Sequence, residues 1–220
     1  MDYVKNPKAI EDKSMELIYP YVKDLNLTED EIRVYSRTVH ASGDVEYAKL
    51  VRTSPGAVAK GIEALNNGAH IYTDVEMVRI GINKPALKNR GSEVHCLIQD
   101  PEVAKLAREL DITRSIAAMR TFGKKLDGQI VAIGNAPTAL YEVLRLALEE
   151  GVRPALIVGI PVGFVGAAES KAYLQEVSPV PYITVHGNKG GSPIAASVIN
   201  ALLYTGVERD HMLVVQGDKK

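Results

Sequence analysis

From Ala69 onward, short β-rich runs alternate with helical stretches, and no other feature narrows the possible folds of this chain as much. A strand, a helix and a further strand pack as a βα unit, and a series of them builds a mainly parallel sheet covered by helices on both faces. Five runs read as strands: residues 69–73, 93–98, 129–133, 155–160 and 182–186. They show little alternation of apolar and polar residues, as strands buried on both faces should. Helices are expected over residues 101–110, 115–125, 138–150, 167–176 and 193–203. Asp100 caps the first of these, with Pro101 in the first turn, where a missing N–H costs little. The expected fold class is α/β, a three-layer α/β/α sandwich around a five-stranded, mainly parallel sheet.

The residues before this alternation read as helical. One helix is expected around residues 10–22, with Pro20 limiting how far it extends. Thr28 and Glu31 have the spacing of a capping box and open a second helix that should run to about Ala41. Ser54-Pro55 marks a further start, and Gly68 a stop. With no internal repeat, linker or low-complexity tract, the 220 residues are expected to form one domain. Its parts would be a helical segment over residues 1–68, the sandwich over 69–206, and a surface strand or loose tail over 207–220. The helical segment then packs on the sandwich or on a partner subunit.

Composition excludes several classes of function. The chain carries 26 Lys+Arg against 27 Asp+Glu, a net charge of -1, which removes the broad basic character that nucleic-acid binding relies on. No run of about 18 apolar residues is present to cross a membrane as a helix. Lys5, Lys8, Glu11, Asp12 and Lys13 interrupt the stretch a signal peptide would need. Cys96 is the only cysteine, so neither an intrachain disulfide nor a multi-cysteine metal cluster is possible. These features fit a soluble protein of the reducing cytoplasm. His70, His95 and His211 lack metal-ligand spacing, and no metal site is expected.

In an open parallel sheet, ligands bind beyond the carboxyl ends of the strands. Gly134-Asn135-Ala136-Pro137-Thr138 enters a helix there and can aim backbone amides at a carboxylate or phosphate, although a tight strand-to-helix turn has the same sequence. The segment from Gly159 through Phe164 to Gly166 sets apolar groups among glycines, suited to a broad, flat ligand or to a buried loop. His186-Gly187-Asn188-Lys189-Gly190-Gly191-Ser192 offers another amide-rich helix entrance, with Lys189 placed to attract an anion. None of these matches a Walker A loop or GxGxxG, which counts against a nucleotide-binding module.

On the second helix, Arg37 and His40 are three residues apart and share a face, with Ser42-Gly43-Asp44 just beyond. Histidine exchanges a proton near neutral pH, and arginine holds a carboxylate without losing its own charge. A lone helix histidine is also an ordinary surface or core residue. Arg114 offers a second carboxylate anchor or an exposed ion pair. Asp74 suits either ligand binding or a helix cap, and Cys96 reads as a core residue rather than a nucleophile.

In order along the chain, Ser14, Arg37-Thr38-Val39-His40-Ala41, Asp74-Val75-Glu76-Met77-Val78, Thr113-Arg114-Ser115, Ile133-Gly134-Asn135-Ala136-Pro137-Thr138-Ala139-Leu140, Pro161-Val162-Gly163-Phe164-Val165-Gly166-Ala167-Ala168-Glu169-Ser170-Lys171 and Gly190-Gly191-Ser192 resemble the precorrin-8X methylmutase family, which includes the cobalt-precorrin-8 methylmutases of vitamin B12 biosynthesis. The resemblance spans nearly the whole chain. It implies a flavodoxin-like sandwich, a homodimer with ligand pockets near the subunit interface, and an isomerase that moves a methyl group from C-11 to C-12 of a tetrapyrrole. The product would be hydrogenobyrinate, or cobyrinate where cobalt enters as part of the substrate, with no separate cofactor. His40 matches the family's catalytic histidine, and Ser14 and Arg37 match substrate-binding positions. Arg114 would join Arg37 in holding peripheral carboxylates, and Asn135, Thr138 and Ser192 would serve the remaining acids from the two amide-rich loops. Asp44 is a candidate to orient the imidazole unless Gly43 ends the helix first. Substrate and product tetrapyrroles are the expected partners, with room for channelling between neighbouring pathway enzymes. A non-catalytic tetrapyrrole carrier is the competing reading.

Overall fold

The computed structural model describes residues 3–205, so the tail expected over 207–220, with His211, lies outside the described residues. The chain opens with α1 (Pro7–Val22), α2 (Glu29–Ser42) and α3 (Tyr47–Leu50), and continues through β1 (Val51–Thr53), α4 (Ala57–Asn66), β2 (Ile71–Thr73), α5 (Glu76–Gly81), α6 (Lys84–Asn89) and β3 (Val94–Cys96). Then follow α7 (Pro101–Glu109), α8 (Arg114–Phe122) with a 3-10 turn over Gly123–Leu126, β4 (Ile130–Ile133), α9 (Pro137–Glu149), β5 (Leu156–Gly159), α10 (Ala167–Val177), β6 (Tyr182–Val185) and α11 (Ser192–Tyr204).

The strand residues explain the three layers. All four side chains of β4 are buried, but they divide between two cores: Ile130 and Ala132 enter one, Val131 and Ile133 the other. Leu156 and Val158 of β5 repeat the first choice and Ile157 the second. A period of two along a strand, with apolar residues at every position, can be satisfied only between two helical layers. One layer holds α1, α2, α4, α5, α6 and α11, with α11 packed against α2, α4 and α5; the other holds α7, α8, α9 and α10.

The sheet has six strands in the order β1-β6-β5-β4-β2-β3, parallel throughout except at β1. The α/β sandwich is as expected, but the strand count is corrected from five to six. β1 lies in the segment read as helical and pairs antiparallel with β6, Val51 opposite Val185 and Thr53 opposite Ile183. Three residues with Arg52 in the middle carry no periodic signal, so pairing with an existing edge, and not local preference, makes this strand. Short α5 and α6 were likewise unexpected, being single-turn features packed under α11.

Local chemistry sets most helix ends. The capping box forms as expected: Glu31 N–H donates to Thr28 Oγ1 at 3.3 Å, and Thr28 N–H donates to Glu31 Oε2 at 2.9 Å. Gly43 closes α2 in the left-handed conformation (φ +65°). Two helix starts differ from expectation: α1 begins at Pro7 and passes through Pro20 to its expected end at Val22, and α4 begins at Ala57, after Gly56. Ser54 is not its cap; its hydroxyl accepts from Tyr182 N–H at 3.0 Å and so ties the β1 end to the sheet.

In the second layer, buried Glu142 of α9 takes both Nε and Nη2 of Arg120 on α8 at 3.0 Å, and Nη2 of Arg145 at 2.6 Å. Burial works to raise the Glu142 pKa, but the two guanidiniums outweigh it and hold the carboxyl below its ordinary 4.5. A depressed folded pKa means stability that is complete above the unfolded value and is lost as pH falls through the folded one. Urea unfolding midpoints should therefore decline below pH about 4.5, and Glu142→Gln should flatten that decline.

Candidate active site

Strand order fixes where a ligand site is expected. β2 lies between β3 and β4, so the chain leaves β2 in opposite directions and opens a crevice beyond the carboxyl ends of β2 and β4. In this protein the crevice is filled from within. Asp74, directly after β2 and fully buried, accepts N–H bonds from Gly134 (3.0 Å, Oδ1), Asn135 (2.9 Å, Oδ2) and Ala136 (2.7 Å, Oδ2). Burial pushes the Asp74 pKa up, and the three donors counter it. Two expectations change accordingly. These three amides are occupied and do not wait for a substrate acid, and Asp74 is no helix cap, since Val75 holds that position at α5. Gly134 is required here because a Cβ would lie 2.6 Å from Val78 Cγ2 and 2.7 Å from Ser192 Cα.

The loops after β5 and β6 are joined backbone to backbone. Gly191 N–H donates to Ile160 O at 2.9 Å and Gly163 N–H to Asn188 O at 3.2 Å. At Gly190 (φ +154°) a Cβ would meet the carbonyl oxygens of Ile160 and Pro161 at 2.7 Å. The tip between Gly163 and Gly166 is not a buried loop: Phe164 is 92% and Val165 90% exposed, which leaves an apolar surface at this end of the sheet.

Lys189, expected to attract an anion, already has one. Its Nζ lies 2.5 Å from Asp44 Oδ2 and 5.7 Å from the centre of the Tyr47 ring, and it holds the Asp44 carboxyl below the usual range. The other Asp44 oxygen takes Glu46 N–H at 2.9 Å. Asp44 therefore does not orient His40, and this expectation is corrected; Gly43 turns the chain away before Asp44 can face the imidazole.

His40 stands on the last turn of α2, exposed and without a hydrogen-bond partner among the described residues. Arg37, one turn earlier, is half-buried, ion-paired to Glu11 of α1, and 5.3 Å from the Tyr204 ring centre. Ser14 lies one turn along α1 from Glu11, and its hydroxyl donates to Ile10 O at 2.8 Å. Arg37 thus ties α2 to α1 through Glu11, and His40 stands one turn further along α2. Arg37 also borders a cavity of about 450 Å³ with Met15, Tyr19, Ser36 and Tyr204, which His40 does not line.

The remaining candidates form a second group. Asn135 is exposed, Thr138 Oγ1 lies 3.1 Å from Thr113 Oγ1, and Ser192, buried, begins α11 against Gly134. Arg114 follows Thr113 at the exposed start of α8, in the layer opposite α2, and no hydrogen bond joins it to His40 or Arg37 among the described residues. Cys96, expected as a core residue, is only half-buried and lies outside both cores, and burial raises its thiol pKa. No group of three or more His, Cys, Asp or Glu that could hold a metal occurs among the described residues, and no helix among them is long and apolar enough to cross a membrane. Sequence reasoning missed Glu11 as the Arg37 partner, Asp74 as the loop anchor, and the full burial of Lys171 on α10.

A model of the precorrin-8X methylmutase family matches residues 9–205. The chain belongs to this family. Among precorrin-8X methylmutase relatives, it is 41% identical over 196 residues to the cobalt-precorrin-8 methylmutase of Priestia megaterium, covering 89% of this chain and 87% of the relative. It is 41% identical over 207 residues to the precorrin-8X methylmutase of a Sinorhizobium species, covering 94% and 98%. The crystal structure of a precorrin-8X methylmutase from Thermus thermophilus superposes with a TM-score of 0.81 at 40% identity, covering 89% of this chain and 94% of that one.

If Asp74 anchors this end of the methylmutase fold, Asp74→Asn, which replaces one accepting oxygen with a donor, should lower stability by about 2–3 kcal/mol. Urea unfolding measures this, and an unchanged midpoint would show that the loop amides are satisfied without the carboxylate.

Proposed function

We propose that this protein is an isomerase of cobalamin biosynthesis that moves a methyl group from C-11 to C-12 of precorrin-8X or cobalt-precorrin-8. The match over residues 9–205 carries the reading, and relatives bearing either name match at 41% identity, so both substrate forms are included. Cobalt, where present, is part of the substrate.

His40 is the proton donor and acceptor. Its exposed imidazole supports the role, because it is free to meet a ligand. Protonation of the macrocycle makes its π-system electron-poor; the bond from C-11 to the methyl breaks as the bond to C-12 forms, and the proton returns to His40. No methyl donor and no redox equivalent is consumed. Acid–base catalysis of this kind contributes about 10²–10⁴-fold.

Arg37 holds a peripheral carboxylate, exchanging Glu11 for the substrate's acid, and Ser14 adds a hydrogen bond. Arg114, Asn135, Thr138 and Ser192 take further acids through their side chains, since Asp74 already occupies the amides of the Gly134–Ala136 turn. Phe164 and Val165 offer the apolar surface that a flat macrocycle or a second subunit would cover. The reading includes a cytoplasmic homodimer with pockets near the subunit interface, passing intermediates to neighbouring enzymes.

Wild type and His40→Ala should be compared on both substrate forms, by visible absorption and by NMR location of the methyl in the product. Wild type is expected to turn over at least one form, and the variant to lose about 10²–10⁴-fold in rate while still binding product. A folded, equally active variant would remove His40 from the mechanism, and product binding without turnover by wild type would favour a carrier. Arg37→Ala should act mainly on KM, raising it roughly tenfold or more, as expected for a lost charged hydrogen bond.

A further inference from the structure

Lys171 of α10 is fully buried, and its Nζ donates to Lys189 O at 2.5 Å. No carboxylate forms an ion pair with it among the described residues. Burial lowers its pKa to about 8, so it remains an ammonium at neutral pH. A methionine would fill similar space without the penalty of desolvating a charge. Packing alone therefore does not account for a lysine at this position.

The carbonyl that Lys171 grips belongs to the loop after β6, and contacts run on from there. Lys189 Nζ reaches Asp44 Oδ2 at 2.5 Å; Asp44 N–H donates to Ser42 Oγ at 3.1 Å; and Ser42 Oγ donates to Val39 O at 3.0 Å, inside the last turn of α2. His40 is the next residue. These side-chain links add to the main-chain hydrogen bonds that already join the loops after β5 and β6, and they carry the connection on to α2. Gly190 and Gly191 adopt φ +154° and +118°, and Gly43 ends α2 in the left-handed region. Glycine-rich backbone of this kind samples many conformations unless something fixes it.

We propose that Lys171 is a positioning residue for the methylmutase reaction: by fixing the Lys189 carbonyl it sets the loop after β6, and through Lys189 and Asp44 that loop holds the turn of α2 that presents His40. The proposal rests on the methylmutase reading for its effect on turnover, but the mechanical link to His40 stands apart from it.

The test uses the whole protein and four variants: Lys171→Met, Lys189→Ala, Asp44→Asn, and the double variant of Lys171 and Asp44. Readouts are kcat, KM, product affinity by visible absorption, and the imidazole NMR resonance of His40 in the ligand-free protein. Lys171→Met should lower kcat roughly 10- to 100-fold with KM and product affinity held within about twofold, because misplacement of a reacting group acts on the chemical step. Its His40 resonance should shift or broaden, and the double variant should be no slower than Lys171→Met alone, as expected for residues acting along one route. Should Lys171→Met fail to fold, Lys189→Ala carries the test, because it breaks the link to Asp44 and leaves the buried bond in place. An unchanged kcat and His40 resonance in folded variants overturns the proposal. Losses that multiply in the double variant, or that fall equally on kcat and product affinity, do so as well. If wild type turns over neither substrate, the methylmutase reading fails, and the His40 resonance still decides the link.

Discussion

A carboxylate removed from water must be given hydrogen bonds, and Asp74 finds three of them on the backbone of a loop sixty residues away in sequence. Much of the molecule follows from that exchange. It joins the end of β2 to the entrance of α9 across the switch point of the sheet, where an α/β protein with an open crevice would receive its ligand. It also draws Gly134 so close to Ser192 and Val78 that no side chain fits. With the crevice closed by the protein's own acid, what this end of the sheet offers a ligand is the surrounding rim: the tip after β5, the loop after β6, and the carboxyl end of α2.

That rim is built mostly from backbone. Gly163 and Gly191 link the loops after β5 and β6 by main-chain hydrogen bonds, and only two charged side chains carry the connection onward, Lys171 from beneath and Lys189 across to Asp44. Such a design leaves His40 and the Phe164–Val165 tip facing outward while their supports are buried or paired. For an enzyme acting on a large, flat polyacid, this separation has a physical use. In the proposed methylmutase reading, the groups that would meet substrate stay accessible, and rigidity comes from contacts behind them.

Much of the fold was legible because its signals are local. The five parallel strands, the capping box at Thr28, the Asp100 cap and the left-handed Gly43 depend on residues within a few positions of one another. β1 was not legible, because Val51-Arg52-Thr53 becomes a strand only when the edge of β6 is there to pair with it. Ser54 looked like a cap and instead bonds Tyr182, for the same reason. In the candidate site, Arg37 and His40 were visible from helical spacing. Glu11, which neutralises Arg37, and Asp44, which turns away from His40 to Lys189, were not.

By itself the sequence determined the layers, several helix ends, the exclusion of an intrachain disulfide, and which residue types could offer acid–base and carboxylate chemistry, since patterning and residue type act over one or two turns of chain. Only the tertiary structure decided which polar groups remain free to use that chemistry. Lys189 reads as an anion site and Asp74 as a ligand-binding residue or a helix cap, and folding assigns both to partners within the chain; Lys171 stands in a segment that carries the family resemblance without a role of its own, and folding buries it against a carbonyl. The reason is that a polar group's task depends on which donor or acceptor satisfies it, and for buried groups that partner comes from a distant part of the chain.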